Sequence, residues 1–414
     1  MSLNKTPAAE RVHIGFFGKR NAGKSSVMNA VTAQNLSVVS PIKGTTTDPV
    51  HKSMELLPLG PVVMMDTPGM DDEGELGGLR VKKSQQSLNR ADIAILVIDG
   101  TLGPAPEDFA LLQRIQRKGL PYLIAANKAD LVSPEQQAAV NEALAGAGIP
   151  EKAVCWMSAL TGEGIEAFKE ALPAPLPPEE GGRAIVRDLL SPGDVAVLVV
   201  PIDKAAPKGR LILPQQQTIR DILEAGAIAA VARDTELQKA LRSLGKPPRM
   251  VITDSQAFEA VSAITPLSVP LTSFSILFAR YKGNLEAVVR GVRALDSLQD
   301  GDRVLISEGC THHRQCEDIG TVKLPGWIRK YTGKAPEFEF TSGTEFPENL
   351  TKYHMVVHCG GCMLNEREMK YRLSCAADQN VPMTNYGILI AYMQGILRRS
   401  VALFPEVCAL LPEE

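Results

Sequence analysis

The sequence predicts an α/β fold with mainly parallel sheets. Short apolar runs suited to buried strands alternate with helical patterns along most of the 414 residues, and this alternation is typical of βαβ units. A glycine-rich loop follows the first apolar run, and two late runs lead into cysteine and histidine. The length is enough for two or three domains, each with its own core.

Composition narrows the class of protein. The 44% hydrophobic and 22% charged residues are those of an ordinary globular protein, and the net charge of −3 gives no basic surface for nucleic acid. Residues 1–11 lack the apolar run of a signal peptide, and the most apolar late run, 388–397, is too short to span a bilayer. Seven cysteines clustered with histidines favour a reducing cytoplasm over a disulfide framework.

The first apolar run, Val12–Phe17, leads into the pattern GxxxxGK[ST], and a helical pattern follows it. In this strand–loop–helix context, the loop N–H groups would surround phosphate and Lys24 would neutralise its oxygens. Ser25 would ligate Mg²⁺. The predicted nucleotide contacts here are Gly18, Asn21, Ala22, Gly23, Lys24, Ser25 and Ser26.

Three further motifs follow apolar runs in the order expected of a guanine-nucleotide domain. They are Asp66-Thr67-Pro68-Gly69, Asn127-Lys128-Ala129-Asp130 and Ser158-Ala159-Leu160. Asp66 can reach magnesium through water, and the Gly69 N–H can meet the γ-phosphate. The Asp130 carboxylate can accept hydrogen bonds from guanine that adenine cannot donate, and the third motif would close over the base. Together the motifs predict GTP with Mg²⁺.

This first third resembles the small GTPases of the tRNA-modification and ribosome-assembly group. The resemblance implies that Thr46, within Gly44-Thr45-Thr46-Thr47-Asp48, binds magnesium and the γ-phosphate, with its neighbouring threonines as alternatives. Asn21 stands where potassium-dependent members place a coordinating asparagine, which implies K⁺. Met70 occupies the position of the water-positioning glutamine of Ras-like enzymes. We therefore expect slow hydrolysis that potassium stimulates.

Residues 174–182 carry prolines and glycines without apolar periodicity and indicate a linker. We predict a GTP-binding domain at 1–175, an α/β domain at 183–268 and a metal-binding domain at 269–414. The second predicted domain shows βαβ alternation without a catalytic constellation. Such a domain most often serves as a scaffold or for dimerisation.

Two late apolar runs are each followed by residues that can act as metal ligands. The run at 304–306 leads to Cys310, and the run at 355–357 leads to His358, Cys359 and Cys362. Thiolate and imidazole are metal or cluster ligands, and the carboxyl edge of a parallel sheet is where such sites lie. A closed zinc site with three cysteines and one histidine fits the same residues.

The whole chain, with Cys310-x-His312 and His358-Cys359-x-x-Cys362 after a nucleotide domain, resembles the FeFe-hydrogenase maturation GTPases, the HydF family. The resemblance implies a 4Fe–4S cluster on the three cysteines. One iron would lack a cysteine, and His312, His358 or a carboxylate could complete it.

By the same resemblance, the protein is a carrier of the diiron subcluster. Two radical-SAM maturases would build that unit on it, and apo-FeFe-hydrogenase would receive it. We expect a homodimer without nucleic-acid or membrane partners. The alternative is a tRNA- or ribosome-associated GTPase with a structural zinc site.

Overall fold

The computed structural model describes residues 6–32, 50–57, 59–69, 75–172, 184–202, 211–283, 285–309 and 318–412. Some predicted features therefore lie outside the described residues. They are Thr46 with the rest of 44–48, Met70, the linker 174–182, and the stretch that contains Cys310 and His312. The chain divides into two compact units, Met1–Glu180 and Gly181–Glu414.

In the first unit, the described strands are β1 (Val12–Phe17), β2 (Val50–Leu56), β3 (Gly60–Asp66), β4 (Ile93–Asp99), β5 (Tyr122–Asn127) and β6 (Val154–Trp156). The described helices are α1 (Lys24–Thr32), α2 (Glu75–Arg90), α3 (Pro106–Arg117), α4 (Pro134–Gly146) and α5 (Ile165–Ala171). The strands form one sheet ordered β2-β3-β1-β4-β5-β6. Its pairs are parallel except for β2 with β3, so the predicted parallel sheet carries an antiparallel edge.

Neighbouring residues of these strands pack into two different cores. Phe16 and Met64 join Val27 of α1 in one apolar cluster, whereas Phe17 and Met65 join a second cluster. Successive side chains of a strand point to opposite faces of the sheet, and helices cover both faces of a parallel sheet. The near-continuous apolar runs of the sequence follow from burial on both sides.

In the second unit, the described strands are β7 (Val195–Val199), β8 (Ile228–Ala232), β9 (Met250–Thr253), β10 (Leu271–Ser273), β11 (Arg303–Ser307), β12 (Glu337–Thr341), β13 (Met355–His358) and β14 (Met383–Asn385). The described helices are α6 (Leu213–Glu224), α7 (Leu237–Ser243), α8 (Phe258–Ile264), α9 (Phe274–Lys282), α10 (Leu285–Gly291), α11 (Leu324–Thr332), α12 (Glu366–Asp378), α13 (Tyr386–Met393), α14 (Leu397–Ser400) and α15 (Pro405–Cys408). The strands form two four-stranded sheets, β10-β9-β7-β8 and β12-β11-β13-β14. All pairs in both sheets are parallel, as predicted.

The two sheets of the second unit share one continuous core. Val197 and Ile252 of the first sheet belong to the same buried apolar cluster as Ile306 and Val357 of the second. β10 extends the first sheet beyond residue 268. The division of this unit into two domains at that residue stays a prediction.

The helical pattern over 314–329 predicts a helix after β11, and residues 314–317 of that pattern lie outside the described residues. A single π-helical turn, Ile319–Lys323, leads into α11 at Leu324. Pro325 lies in the first turn of α11, where proline fits, whereas in the interior of an α-helix it would break the helix. None of the helices in the described part of the chain has both the length and the apolar character needed to cross a bilayer.

Helix α10 crosses β14 so closely that position 291 requires glycine. A Cβ added at Gly291 would lie 2.1 Å from the Met383 carbonyl oxygen, and Thr384 Oγ1 donates to the Val288 carbonyl over 2.9 Å.

We expect Gly291→Ala to lower the free energy of unfolding by about 1–3 kcal/mol. In α11, an added Cβ at Gly326 meets no described atom within 4 Å, so Gly326→Ala should stabilise by up to about 1 kcal/mol. Urea denaturation measures both, and equal effects would contradict the argument.

Candidate nucleotide site and cysteine loop

The loop between β1 and α1 has a backbone that few residue types can adopt. Gly18 (φ 139°), Asn21 (φ 63°) and Gly23 (φ 94°) have positive φ angles. A Cβ at Gly18 would lie 2.2 Å from the Val97 carbonyl oxygen, and one at Gly23 would lie 2.2 Å from Asn127 Nδ2. The loop leads directly into α1, and a helix N-terminus favours a bound phosphate.

Lys24 and Ser25 begin α1, and Asp66 ends the neighbouring strand β3. The buried Lys24 ammonium donates to the carbonyl oxygens of Gly18 (3.1 Å) and Lys19 (2.7 Å). Ser25 Oγ donates to Asp66 Oδ2 over 2.5 Å. These two groups meet because β1 and β3 are parallel neighbours. Hydroxyl and carboxylate oxygens suit Mg²⁺, so the pair is placed as a nucleotide-bound magnesium ion would need it.

Asn127 connects the glycine loop to the third predicted motif. Its Nδ2 donates to the Ala22 carbonyl over 3.0 Å, and its Oδ1 accepts from the Ala159 N–H over 3.0 Å. Ser158 Oγ accepts from the Thr161 N–H over 3.1 Å and shapes the same loop. One buried amide therefore joins the loop predicted to hold phosphate to the loop predicted to cover the base.

Asp130 and Leu160 are exposed, as contacts of an open base pocket would be. Lys128, in the left-handed region at φ 67°, donates from Nζ to Asp99 Oδ2 over 2.5 Å. Burial alone would raise the pKa of Asp99, but hydrogen bonds from Lys128 and Thr101 bring that pKa below its ordinary value. Sequence reasoning missed Asp99. The available signal was its position at the carboxyl end of a buried parallel strand.

The motif at residues 66–69 is anchored to the sheet through Thr67, whose Oγ1 donates to the Phe16 carbonyl over 2.6 Å. Gly69 is the last described residue before 70–74, and Thr46 lies outside the described residues. Their contacts with a γ-phosphate therefore stay predictions. The same holds for Ser26 of α1 and for the other predicted nucleotide contacts.

The cysteine loop, residues 359–362, follows β13 at the carboxyl edge of its sheet. β11 and β13 are parallel neighbours. The Gly309 N–H, just beyond β11, donates to Cys359 Sγ over 3.0 Å, and the Gly361 N–H lies 3.4 Å from the same sulfur. Gly309 directly precedes Cys310 in the sequence. The end of β11 and the cysteine loop are therefore in direct contact.

The two described thiols of this loop are of the residue type that binds a metal or cluster as thiolate, and burial keeps them protonated until a metal binds. Burial raises the pKa of Cys359 to about 11, against the hydrogen bonds from two glycines, and also raises the pKa of Cys362. A metal displaces the proton of such a thiol on binding, and hydrogen bonds to sulfur tune iron–sulfur sites. Within the described residues alone, no group of three or more His, Cys, Asp or Glu side chains could hold a metal ion. Cys310 and His312 lie outside that part of the chain.

His358 is buried directly before the cysteine loop, and both of its ring nitrogens have partners. Its Nε2 lies 2.9 Å from Arg372 Nη1, and its Nδ1 lies 2.7 Å from the Cys359 carbonyl oxygen. A guanidinium can only donate, so Nε2 accepts and Nδ1 carries the proton. Burial, followed by the charge of Arg372, lowers the pKa of His358 to about 3. The predicted ligand role of His358 would require one of these hydrogen bonds to break.

Arg372 of α12 is fully buried, and each part of its guanidinium has a partner. Nε donates to Glu368 Oε1 (2.9 Å), Nη1 to Ser307 Oγ (3.2 Å) and Nη2 to the Gly343 carbonyl (2.8 Å). A buried charge is tolerated only when it is paired and hydrogen-bonded in this way. Sequence reasoning missed Arg372. The available signal was a Glu and an Arg four residues apart in the helix after the loop.

Family models match three successive segments of the chain. A family model described as the hydrogen maturase F dimerization domain matches residues 185–283, and one described as the hydrogen maturase F tetramerization domain matches 286–403. A model described as a 50S ribosome-binding GTPase matches 13–128.

Individual relatives match part of the chain. The tRNA modification GTPase MnmE of Prochlorococcus marinus is 36% identical over 163 residues, which are 39% of this chain and 34% of that protein. GTPase Der of Wolinella succinogenes is 37% identical over 131 residues, 31% of this chain and 28% of that protein. The chain thus spans about a third of the length of these relatives.

A crystal structure of Era in complex with MgGDPNP and nucleotides 1506–1542 of 16S ribosomal RNA is 22% identical. It covers 56% of this chain and 98% of its own, with a TM-score of 0.35. A likeness at that level supports no argument about this chain.

The glycine loop, the Ser25–Asp66 pair and the Asn127 bridge, on a mainly parallel sheet that matches a GTPase family model, define a P-loop GTPase domain. The two hydrogen maturase F models match consecutive segments that together span more than half of the chain. The chain belongs to the hydrogen maturase F family.

Base specificity is predicted to rest on Asp130. Its carboxylate would accept two hydrogen bonds from guanine, and an unsatisfied partner costs about 1–3 kcal/mol. We therefore expect Asp130→Asn to weaken GTP binding by about 10- to 100-fold and to gain affinity for xanthosine triphosphate, which offers the complementary carbonyl. Titration with fluorescent nucleotides measures both affinities. Unchanged GTP affinity in the variant would refute the assignment.

Proposed function

We propose that this protein is a GTP-hydrolysing iron–sulfur scaffold in the maturation of FeFe-hydrogenase. It would accept a diiron subcluster precursor from two radical-SAM maturases and deliver it to apo-FeFe-hydrogenase in the cytoplasm. Membership of the hydrogen maturase F family supports a role in hydrogenase maturation. The cysteine loop supports the iron–sulfur part of the proposal.

The observation that carries the proposal is the contact between the end of β11 and the cysteine loop. The Gly309 N–H lies 3.0 Å from Cys359 Sγ, and Cys310 follows Gly309 directly in the chain. The strand end that leads to Cys310 in the sequence therefore touches the loop that carries Cys359 and Cys362. A redox dithiol formed by Cys359 and Cys362 alone would not need this contact.

Cys310, Cys359 and Cys362 would hold a 4Fe–4S cluster. When bound, the cluster supplies one iron that lacks a cysteine and can exchange its ligand. Among the predicted candidates for that position, His312 and a carboxylate are favoured over His358. Both nitrogens of His358 are already hydrogen-bonded, so its contribution is to hold the Cys359 carbonyl.

In the nucleotide domain, Lys24 would exchange the carbonyl oxygens of Gly18 and Lys19 for phosphate oxygens. Ser25 and Asp66 would separate to admit Mg²⁺ between them, Ser25 as a direct ligand and Asp66 through water. Asn127 would hold the phosphate loop and the base loop in a fixed position relative to each other. The domain would hydrolyse GTP slowly.

A homodimer is consistent with the edge of the first sheet of the second unit. β8 is an edge strand, and its Ile228 and Val231 are 54% and 49% exposed. An edge strand with exposed apolar side chains is suited to pairing with another chain. The family model over this segment is described as a dimerization domain, and its neighbour as a tetramerization domain. Oligomerisation is thus supported, with a dimer as the proposed state.

Potassium should accelerate hydrolysis by about tenfold over sodium, which corresponds to about 1.4 kcal/mol in the barrier. Met70 replaces the expected glutamine, so a cation near the phosphates would stabilise developing charge. The variant of choice is Asn21→Gly, because glycine tolerates the left-handed backbone (φ 63°) while removing the side chain. We expect it to bind GDP normally and to lose the preference for potassium. Equal rates in the two salts for the unmodified protein would contradict the potassium site.

Cluster binding should depend on three cysteines and on neither histidine. After anaerobic reconstitution, replacing Cys310, Cys359 or Cys362 with Ser removes one of three anchors and should strip most of the iron. His312→Ala and His358→Ala should retain iron with an altered spectrum. Iron and sulfide content and EPR of the reduced protein measure these effects.

Two controls accompany that series. Cys408→Ser, in α15 outside the motif, should retain full iron. Lys24→Ala, in the other unit, should bind iron but fail to hydrolyse GTP. Full iron in the three cysteine variants would refute the iron–sulfur assignment. Zinc in place of iron in the native protein would instead favour a tRNA- or ribosome-associated GTPase with a structural zinc site.

A further inference from the structure

The second unit is built from two copies of one folding unit. The first copy contains β7 to β10 and ends in α9, and the second contains β11 to β14 and ends in α13. In each copy, the strand order is the second, first, third and fourth strand of that copy, all parallel. The register also corresponds, because Thr253 pairs with Ser273 as His358 pairs with Asn385.

The last strand and helix of each copy also align in sequence. Residues 269–285 and 381–397 match without a gap. Identical residues occur at Val269 and Val381, Pro270 and Pro382, Thr272 and Thr384, Ile276 and Ile388, Leu277 and Leu389, Ala279 and Ala391, Gly283 and Gly395, and Leu285 and Leu397. By this alignment, Ser275 corresponds to Gly387 and Lys282 to Gln394.

The two copies contact each other through equivalent positions. A Cβ added at Gly387 would lie 2.7 Å from Ser275 Cβ and 2.9 Å from Ser255 Oγ, and one at Gly360 would lie 3.8 Å from Ser275 Cβ. Register places Ser255 where the other copy has Gly360. Contacts between residue i of one copy and residue j of the other, repeated in reverse, are the mark of a two-fold arrangement. The cysteine loop therefore faces the end of the first copy.

Lys282, at the end of α9 in the first copy, reaches into this loop. Its side chain is 3% exposed, and its Nζ donates to the Cys362 carbonyl over 3.0 Å and to the Leu364 carbonyl over 2.9 Å. In the second copy, Gln394 occupies the position of Lys282. By the strand register, Asp254 of the first copy corresponds to Cys359 of the second. The buried lysine therefore occurs only in the first of these two positions, on the copy that lies against the cysteine loop.

We propose that Lys282 is a positioning residue of the cluster site, which rests on the proposed iron–sulfur function. Its two hydrogen bonds fix the backbone on both sides of Met363 and hold its positive charge against the backbone of the segment that carries Cys362. Reduction adds a negative charge to a cluster, and nearby charge and hydrogen bonds set the reduction potential. The first copy thereby completes the site that the second copy carries.

The experiment compares reconstituted full-length Lys282→Met, Lys282→Gln and Lys282→Arg. Iron loss to a chelator and the midpoint potential, from an EPR-monitored titration with dithionite, are measured for each. Methionine keeps the aliphatic stem without charge or donors, and we expect it to lose iron about tenfold faster and to lower the potential. Glutamine keeps a donor without charge and should lower the potential as well. Arginine restores the charge and should return the potential towards that of the unmodified protein.

Lys330→Met, at an exposed position in the last turn of α11, is the control for the loss of one positive charge. The proposal would be overturned if Lys282→Met and Lys282→Gln had the same reduction potential and the same rate of iron loss as this control. In that outcome the cluster is still bound, so the proposed iron–sulfur function would stand. If Lys282→Met fails to fold by circular dichroism, the glutamine and arginine pair decides the question through the potential. A colourless, zinc-containing unmodified protein would instead refute the proposed function itself.

Discussion

Parallel pairing of neighbouring strands is the constraint on which both candidate sites depend. In the first unit, Phe16 pairs with Asp66, so the glycine loop after β1 and the carboxylate at the end of β3 meet at one edge. In the second unit, Ser307 pairs with His358, so Gly309 and the cysteine loop meet in the same way. Side chains alternate along a strand, so a slip of one residue would turn every strand residue to the other face. The buried apolar runs therefore set the position of the polar groups beyond them.

The copy of the second unit that carries the cysteine loop buries charged side chains, and hydrogen bonds compensate their burial. Arg372 is held by Glu368, Ser307 and the Gly343 carbonyl, and it fixes the imidazole of His358 in turn. Such groups cost several kcal/mol to bury when a partner is missing. Their presence behind the loop is a reason for the loop to hold one conformation. A preorganised loop loses less conformational entropy when it binds a metal.

Sequence patterns predicted the elements that depend on neighbouring residues. The P-loop, Asp66 and the cysteine loop are contiguous motifs after apolar runs, and the structure places the described ones at strand ends. Asp99, Arg372 and Lys282 were missed, because their roles come from partners far along the chain: Lys282 bonds to residues 80 and 82 positions away. No local pattern distinguishes such a lysine from an exposed one.

The duplication also gives a physical account of the segment in which sequence reasoning found no chemistry. At the first copy's corresponding edge, polar groups satisfy one another: Gln215 Nε2 donates to Asp254 Oδ2 over 2.9 Å, and Ser255 Oγ lies 2.8 Å from Ser275 Oγ. At the second copy's edge, Cys359 Sγ instead receives N–H groups. Within the described part of the chain, the hydrogen bonds of Cys359 Sγ are accepted ones, and a sulfur can become a thiolate ligand without losing such bonds. The same fold therefore has hydrogen-bonded polar side chains at the strand ends of the first copy and a candidate metal site at the strand ends of the second copy. Lys282, from α9 of the first copy, supplies a positive charge at that candidate site.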